Sequence, residues 1–294
     1  MLRRPAITTF RPLTDNDRGA GHGFERVQWL GAGRYARCVD NVLEQIDDST
    51  LKGTYTYELA TAQRTKVTVS YTAHTDGRVN LHVEYPGEQG DLPTIPAFGI
   101  EWTLPVQYTN LRFFGTGPEE TYLDRKHAKL GVWSTNAFAD HAPYLMPQET
   151  GNHEDVRWAE ITDDHGHGMR VSRADGAAPF AVSLLPYSSF MLEEAQHQDE
   201  LPKPKHMFLR VLAAQMGVGG DDSWMSPVHP QYHIPADKRS ARCRPRADLI
   251  RIDPIVHRCK RCGPRLPRRK SGATSFARSL LVQRMRRISM QIQT

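Results

Sequence analysis

Cysteine is scarce in this sequence: Cys38, Cys243, Cys259 and Cys262 are the whole set, and three of them lie beyond residue 240. A secreted chain that relied on disulfides would spread them through its fold, so a disulfide framework is excluded. Long apolar runs are missing as well. Nowhere do about 18 apolar residues follow one another, the length a membrane helix needs. The basic start, Met1-Leu2-Arg3-Arg4-Pro5, is not followed by the apolar core of a signal peptide. The expected compartment is the cytoplasm, with no membrane partner.

Several chemical motifs are also absent. There is no Gly-x-Ser-x-Gly, no His-Glu-x-x-His and no glycine-rich phosphate loop ahead of a helix. Acidic pairs do occur, at Glu119-Glu120, Asp163-Asp164, Glu193-Glu194 and Asp221-Asp222. Neighbouring acids on a strand point to opposite faces and cannot flank one glycosidic bond. Each pair reads as a solvated turn or a helix cap, and no catalytic residue is assigned. Cys259 and Cys262 form a Cys-x-x-Cys step with His257 and Cys243 nearby, but the second pair of a zinc site is missing. No metal ligand is assigned either.

The net charge of +5 hides a division. From Arg239 to Thr294 there are sixteen Lys and Arg against two acids, a balance of +14 that leaves residues 1–238 at −9. The chain thus joins an acidic body to a basic tail. A tail so charged cannot bury a core, and residues 239–294 are expected to lack structure. Ala277 to Ile292 could form a basic amphipathic helix. Phe276 is the one aromatic residue after 238, so the stacking platform of a nucleic-acid reader is missing and no such partner is expected.

The body is rich in strand signals from about residue 54 to 215. Thr65-Lys66-Val67-Thr68-Val69-Ser70-Tyr71 alternates with period two, as do Val79, Leu81, Val83 and Tyr85, with the turn dipeptide Asp76-Gly77 between them. Further strands are expected at Phe98–Leu104, Leu111–Phe114, Val156–Thr162, Met169–Arg173, Phe180–Leu185 and Met207–Ala213. Helix signals are few: one stretch from Phe24 to Tyr35, and a turn or two after Ser188. Short, turn-separated strands predict an all-β fold, a sandwich or barrel and not βαβ units.

One loop stands out. Met216-Gly217-Val218-Gly219-Gly220-Asp221-Asp222-Ser223-Trp224 sets three glycines and two acids ahead of a tryptophan. Glycine permits backbone shapes closed to other residues. The indole either caps the sandwich core or offers a flat apolar face to the C–H face of a sugar ring.

Residues 217–224 resemble a signature of the β-galactosidase small-chain domain, the last domain of glycoside hydrolase family 2 β-galactosidases. Three further segments resemble that family in order. Asp15-Asn16-Asp17-Arg18-Gly19 is similar to its Asp-Asn-Asp-x-Gly. Gly115 to Arg125 is similar to Gly-x-Gly-Pro-x-Glu-x-Tyr-x-Asp-Arg. Pro143 to Gly151, followed by Trp158, is similar to Pro-Tyr-x-x-Pro-x-Glu-x-Gly. The resemblance runs from about residue 5 to 238. It implies a large antiparallel two-sheet sandwich, and a retaining β-galactosidase whose two catalytic glutamates, about 5 Å apart, sit on a TIM barrel in another chain or domain. It also implies that Trp224 contributes an aromatic face beside the galactoside, lactose for example, and that Gly19, Ala20 and Gly21 form a mobile segment near it. Asp15, Asp17, Asp124, Arg125 and Glu149 would fix loops through charge-assisted hydrogen bonds, while Asp221 and Asp222 would hold the loop that aims Trp224. Magnesium and sodium would serve the complete enzyme, on ligands supplied mainly by other domains.

Two departures qualify the resemblance. About fourteen residues precede the Asp-Asn-Asp motif, so the 1–238 domain is expected to be short of its first strands. After Lys238 the family's final alternating strand gives way to Arg-rich sequence, as a shift of reading frame there would produce. The alternatives to a small subunit are a galactose-binding module that needs no partner and a truncated fragment without function.

Overall fold

The computed structural model describes residues 5–88, 92–222, 225–236 and 246–255, with only the backbone described at 246–249. Its elements run β1 (Ala6–Thr8), α1 (Asp15–Gly19), α2 (His22–Arg34), β2 (Arg37–Asp47), β3 (Thr50–Glu58), β4 (Lys66–His74), β5 (Val79–Glu84), β6 (Ala97–Pro105), β7 (Asn110–Gly117), β8 (Lys129–Asn136), β9 (His153–Val156), β10 (Trp158–Thr162), β11 (Gly168–Ser172), β12 (Phe180–Leu185), α3 (Ser189–Glu194), β13 (His206–Gln215) and β14 (Arg246–Ile255). The strands form two antiparallel sheets. The smaller has the order β1-β6-β13-β12-β9 and the larger β2-β3-β4-β5-β14-β11-β10-β7-β8. The expected all-β sandwich with few short helices is what forms.

Period-two patterning explains how the sheets face each other. In the β4–β5 hairpin Val69 sits opposite Val83 and Tyr71 opposite Leu81. Val67, Val69, Leu81 and Val83 are all buried on one side. Gly77 takes the positive φ of the connecting turn, 93°. Ile100, Trp102, Val182, Leu184, Leu209 and Val211 face them from the smaller sheet, and together they form one continuous core. Burial of apolar area at about 25 cal/mol per Å² drives this packing.

The smaller sheet is covered on its second face too, since all six residues of β12 are buried. α2 lies against β1, with Trp29 and Ala32 buried and the Trp29 indole N–H donating to Pro93 O at 3.1 Å. α3 begins at Ser188, whose hydroxyl accepts from Met191 N at 3.3 Å. Both helices fall where the sequence places them. β2 and β8, the two edges of the larger sheet, fall where the sequence reading places no strand. β2 exposes nearly every residue, so no buried face marks it.

The expectation that structure ends at residue 238 fails for residues 246–255. β14 inserts between β5 and β11 and joins two four-stranded halves of the larger sheet. Ile250 is buried in the core and Ile252 packs against it, while Arg251 and Asp253 point outward and pair at 3.0 Å. That short alternation is hidden by the basic excess averaged over the whole tail. The remaining tail residues, including the suggested helix at Ala277 to Ile292, lie outside the described residues.

Candidate functional site

α1 starts at a capping box. Thr14 accepts from Asp17 N at 3.2 Å, and Asp17 accepts in return from Thr14 N at 3.0 Å. Asp17 is buried and takes two cations besides, Arg11 Nη1 at 2.6 Å and Arg26 Nη1 at 3.2 Å. Burial alone would raise the Asp17 carboxyl, but the Arg11 charge and the Thr14 N–H outweigh it and hold the group below its ordinary value.

This ion cluster reaches the glycine-rich loop. Arg11 Nη2 donates to Gly217 O at 2.7 Å, and Asn16 Nδ2 donates to Val218 O at 3.1 Å. From the other side the Asp124 carboxylate accepts Val218 N at 3.0 Å and Gly219 N at 2.7 Å. A Cβ on Gly217 would overlap that carboxylate, so the approach needs glycine. Gly219 and Gly220 take positive φ values of 71° and 98°. The loop is therefore fixed along its carbonyl side and its amide side by residues about 100 and 200 positions away.

The other two motif segments join the same layer. Asp15 N donates to Gln148 Oε1 at 3.0 Å, and Gln148 Nε2 returns a bond to Asp15 Oδ2 at 2.9 Å. Glu120 accepts from Tyr144 OH at 2.8 Å, Arg125 Nη1 at 3.1 Å and Gly151 N at 2.9 Å. Burial and then the Glu120 charge push the Tyr144 hydroxyl up to about 12. Beneath them Arg210 makes a two-pronged pair with Glu149, at 2.7 and 2.9 Å, and donates to Ser183 and Ser189. Four segments far apart in sequence thus meet on the outer face of the smaller sheet.

The expected site residues fall as follows. Gly19 closes α1 and Gly21 caps α2 at φ 78°, with Ala20 between them, so these three are a tight helix–helix turn. A Cβ on Gly19 would overlap Met225, which brings the turn against the far end of the glycine-rich loop. Asp221 pairs with His229 at the surface. The grip on residues 217–219 comes from Arg11, Asn16 and Asp124. Ser223 and Trp224 lie outside the described residues. Arg11, Arg26 and Arg210 had no signal in the sequence, and Asn16 and Gln148 were visible only as members of motifs, because only the fold reveals which cations and amides are buried.

Glu154 is a buried carboxyl raised from 4.5 to about 7. Burial drives this, against the Asn152 hydrogen bond and Lys126. It is buried and bonded to Asn152 Nδ2 at 3.0 Å, which suits a structural acid better than one that meets substrate. Among the described residues no group of three His, Cys, Asp or Glu side chains is placed to hold a metal ion. No helix among them is long and apolar enough to cross a membrane.

Comparison with known proteins gives a consistent answer. A family model described as "Beta galactosidase small chain" matches residues 1–244. A Bifidobacterium adolescentis protein named β-galactosidase BgaC is 75% identical over 239 residues, 81% of this chain and 23% of that protein. A Streptococcus thermophilus β-galactosidase is 42% identical over 229 residues, covering 78% of this chain and 22% of its own length. A Latilactobacillus sakei protein named β-galactosidase small subunit is 34% identical, with 80% of this chain and 82% of that protein covered. The chain therefore spans less than a quarter of the first two relatives and most of the third.

Proposed function

The chain belongs to the β-galactosidase small-chain family, and from that premise we propose that it completes the galactoside site of a retaining β-galactosidase whose catalytic glutamates lie on a large partner chain. The large chain carries the TIM barrel, the substrate is a β-galactoside such as lactose, and the assembled enzyme works in the cytoplasm. Magnesium and sodium, where the enzyme uses them, sit on the large chain's ligands. The observation that carries this reading is the anchoring of residues 217–219 by Arg11, Asn16 and Asp124 beside Gly19. A loop held on both sides can present the side chain of Trp224, five residues on, in a defined direction at low entropic cost. The turn at Gly19, Ala20 and Gly21 lies against Met225 at the far end of that loop and borders the galactoside site.

This chain supplies an aromatic wall and a shaped rim; the large chain supplies nucleophile and acid/base. The test is complementation. The Bifidobacterium adolescentis relative is prepared without its matching segment and mixed with this chain. Hydrolysis of a β-galactoside is expected only in the mixture, and Trp224→Ala is expected to lower kcat/KM by at least tenfold. Hydrolysis by this chain alone, or none in the mixture, would overturn the reading.

A further inference from the structure

Helix α2 has two faces of opposite kind. Arg26, Trp29 and Ala32 are buried, whereas Phe24 is 89% exposed and Val27 54%. These two lie one helical turn apart and line an apolar hollow of about 460 Å³ with Leu13, Arg18, Gly21 and Gly23. Phe24 and Val27 set two exposed apolar side chains around one hollow, where an apolar side chain of a partner gains contact. The hollow is continuous with the glycine-rich loop: Arg18 and Gly21 on its wall flank Gly19, Gly19 abuts Met225, and Met225 is itself 51% exposed. Its bordering charges, Arg18, His22 and Glu25, are of mixed sign, unlike a surface built for nucleic acid or anionic lipid.

The relatives say what lies outside this chain. In the Bifidobacterium adolescentis and Streptococcus thermophilus proteins the matched stretch makes up 23% and 22% of the length. More than three quarters of each protein must therefore pack against, or be tethered to, a domain like this one. We infer that the Phe24–Val27 hollow is the docking surface for the large chain and receives a bulky apolar side chain from it. The inference rests on the small-chain reading and adds to it the face by which the partner is held. Docking there sets the large chain against the loop that leads to Trp224, so the same contact that joins the chains also closes the sugar site.

The full chain is mixed with the Bifidobacterium adolescentis relative lacking its matching segment, and association is followed by sedimentation together with galactoside hydrolysis. Phe24→Glu and Val27→Glu are each expected to raise Kd at least tenfold and to lower restored activity in proportion at fixed concentration. Ile46→Glu, at a 57% exposed apolar residue on β2, is the control and is expected to bind as the unmodified chain does. Since all three side chains are exposed, the variants should melt with the parent. Unaltered association by Phe24→Glu overturns the docking surface alone. So does a result in which Phe24→Glu only dissolves a dimer of this chain. Absence of association by the unmodified chain overturns both the surface and the reading beneath it.

Discussion

The two faces of the smaller sheet are buried by opposite means. Its inner face carries Trp102, Leu184, Leu209 and Val211, which meet the larger sheet through apolar contact. Its outer face carries the row Ser183, Arg210 and Glu101, set side by side by register and covered by irregular segments. There Arg210 is fully enclosed, and the Glu149 charge offsets its loss of water. An apolar face tolerates change in proportion to the volume lost. A buried ion pair is stable only while both members are present, because the survivor keeps its desolvation penalty without its partner. The residues nearest the candidate site are therefore held by the less forgiving kind of contact.

Neighbouring positions of β13 face the two sides of the sheet. Arg210→Ala leaves the Glu149 carboxylate enclosed with, among the described residues, only the Gln215 Nε2 donor at 2.9 Å. A loss of about 4 kcal/mol is expected, from the range for breaking a buried pair. Leu209→Ala, one residue along and facing the core, is expected to cost about 3 kcal/mol. Urea unfolding of both variants checks the order. A larger loss for Leu209→Ala would remove the distinction between the faces.

A second measurement extends the apolar side of the comparison to β14. Ile250 is 1% exposed between β5 and β11, so Ile250→Ala should cost about 3 kcal/mol. If residues 246–255 did not close the larger sheet, the variant would unfold with its parent. The result also bears on the reading-frame departure after Lys238, since a strand in this place supplies the sheet's missing junction whatever the origin of its sequence.

What was legible in the sequence follows the same division. Val67, Val69, Leu81 and Val83 announce a hairpin because one buried face forces a period of two. β2 has no buried face and announces nothing. β14 has such a face, but only over Ile250 and Ile252, within text dominated by arginine. At the site, the glycines of 217–220 and the Asp-Asn-Asp run are visible as motifs. Which residues grip them is not, because Arg11 and Gly217 are 206 positions apart and nothing local joins them. Asp221 and Asp222 are the nearest acids in sequence, yet the carboxylate on the loop's amides is that of Asp124.

Glu154 is a buried acid with no ion-pair partner among the described residues, and its effect on stability is expected to be the smallest of these. Glu154 on the edge strand β9 takes its hydrogen bond from a neutral amide, that of Asn152. Asp17, enclosed to a similar degree, has Arg11 and Arg26 and is held charged. Burial therefore raises Glu154 from 4.5 to about 7, and the fold prefers its neutral form. A carboxyl raised on folding contributes stability that is fully present below its unfolded value and is lost as pH rises through the folded one. Each unit is worth about 1.4 kcal/mol, so this group should remove about 2 kcal/mol between pH 5 and pH 8. Glu154→Gln keeps the size of the side chain and an oxygen to accept from Asn152, but cannot ionise. Its urea midpoint should fall less than that of the parent across that interval, with the gap opening above about pH 5 and levelling off just above pH 7. Parallel midpoints from pH 5 to 8 would mean that water or a cation reaches Glu154, and that burial alone does not separate it from Asp17.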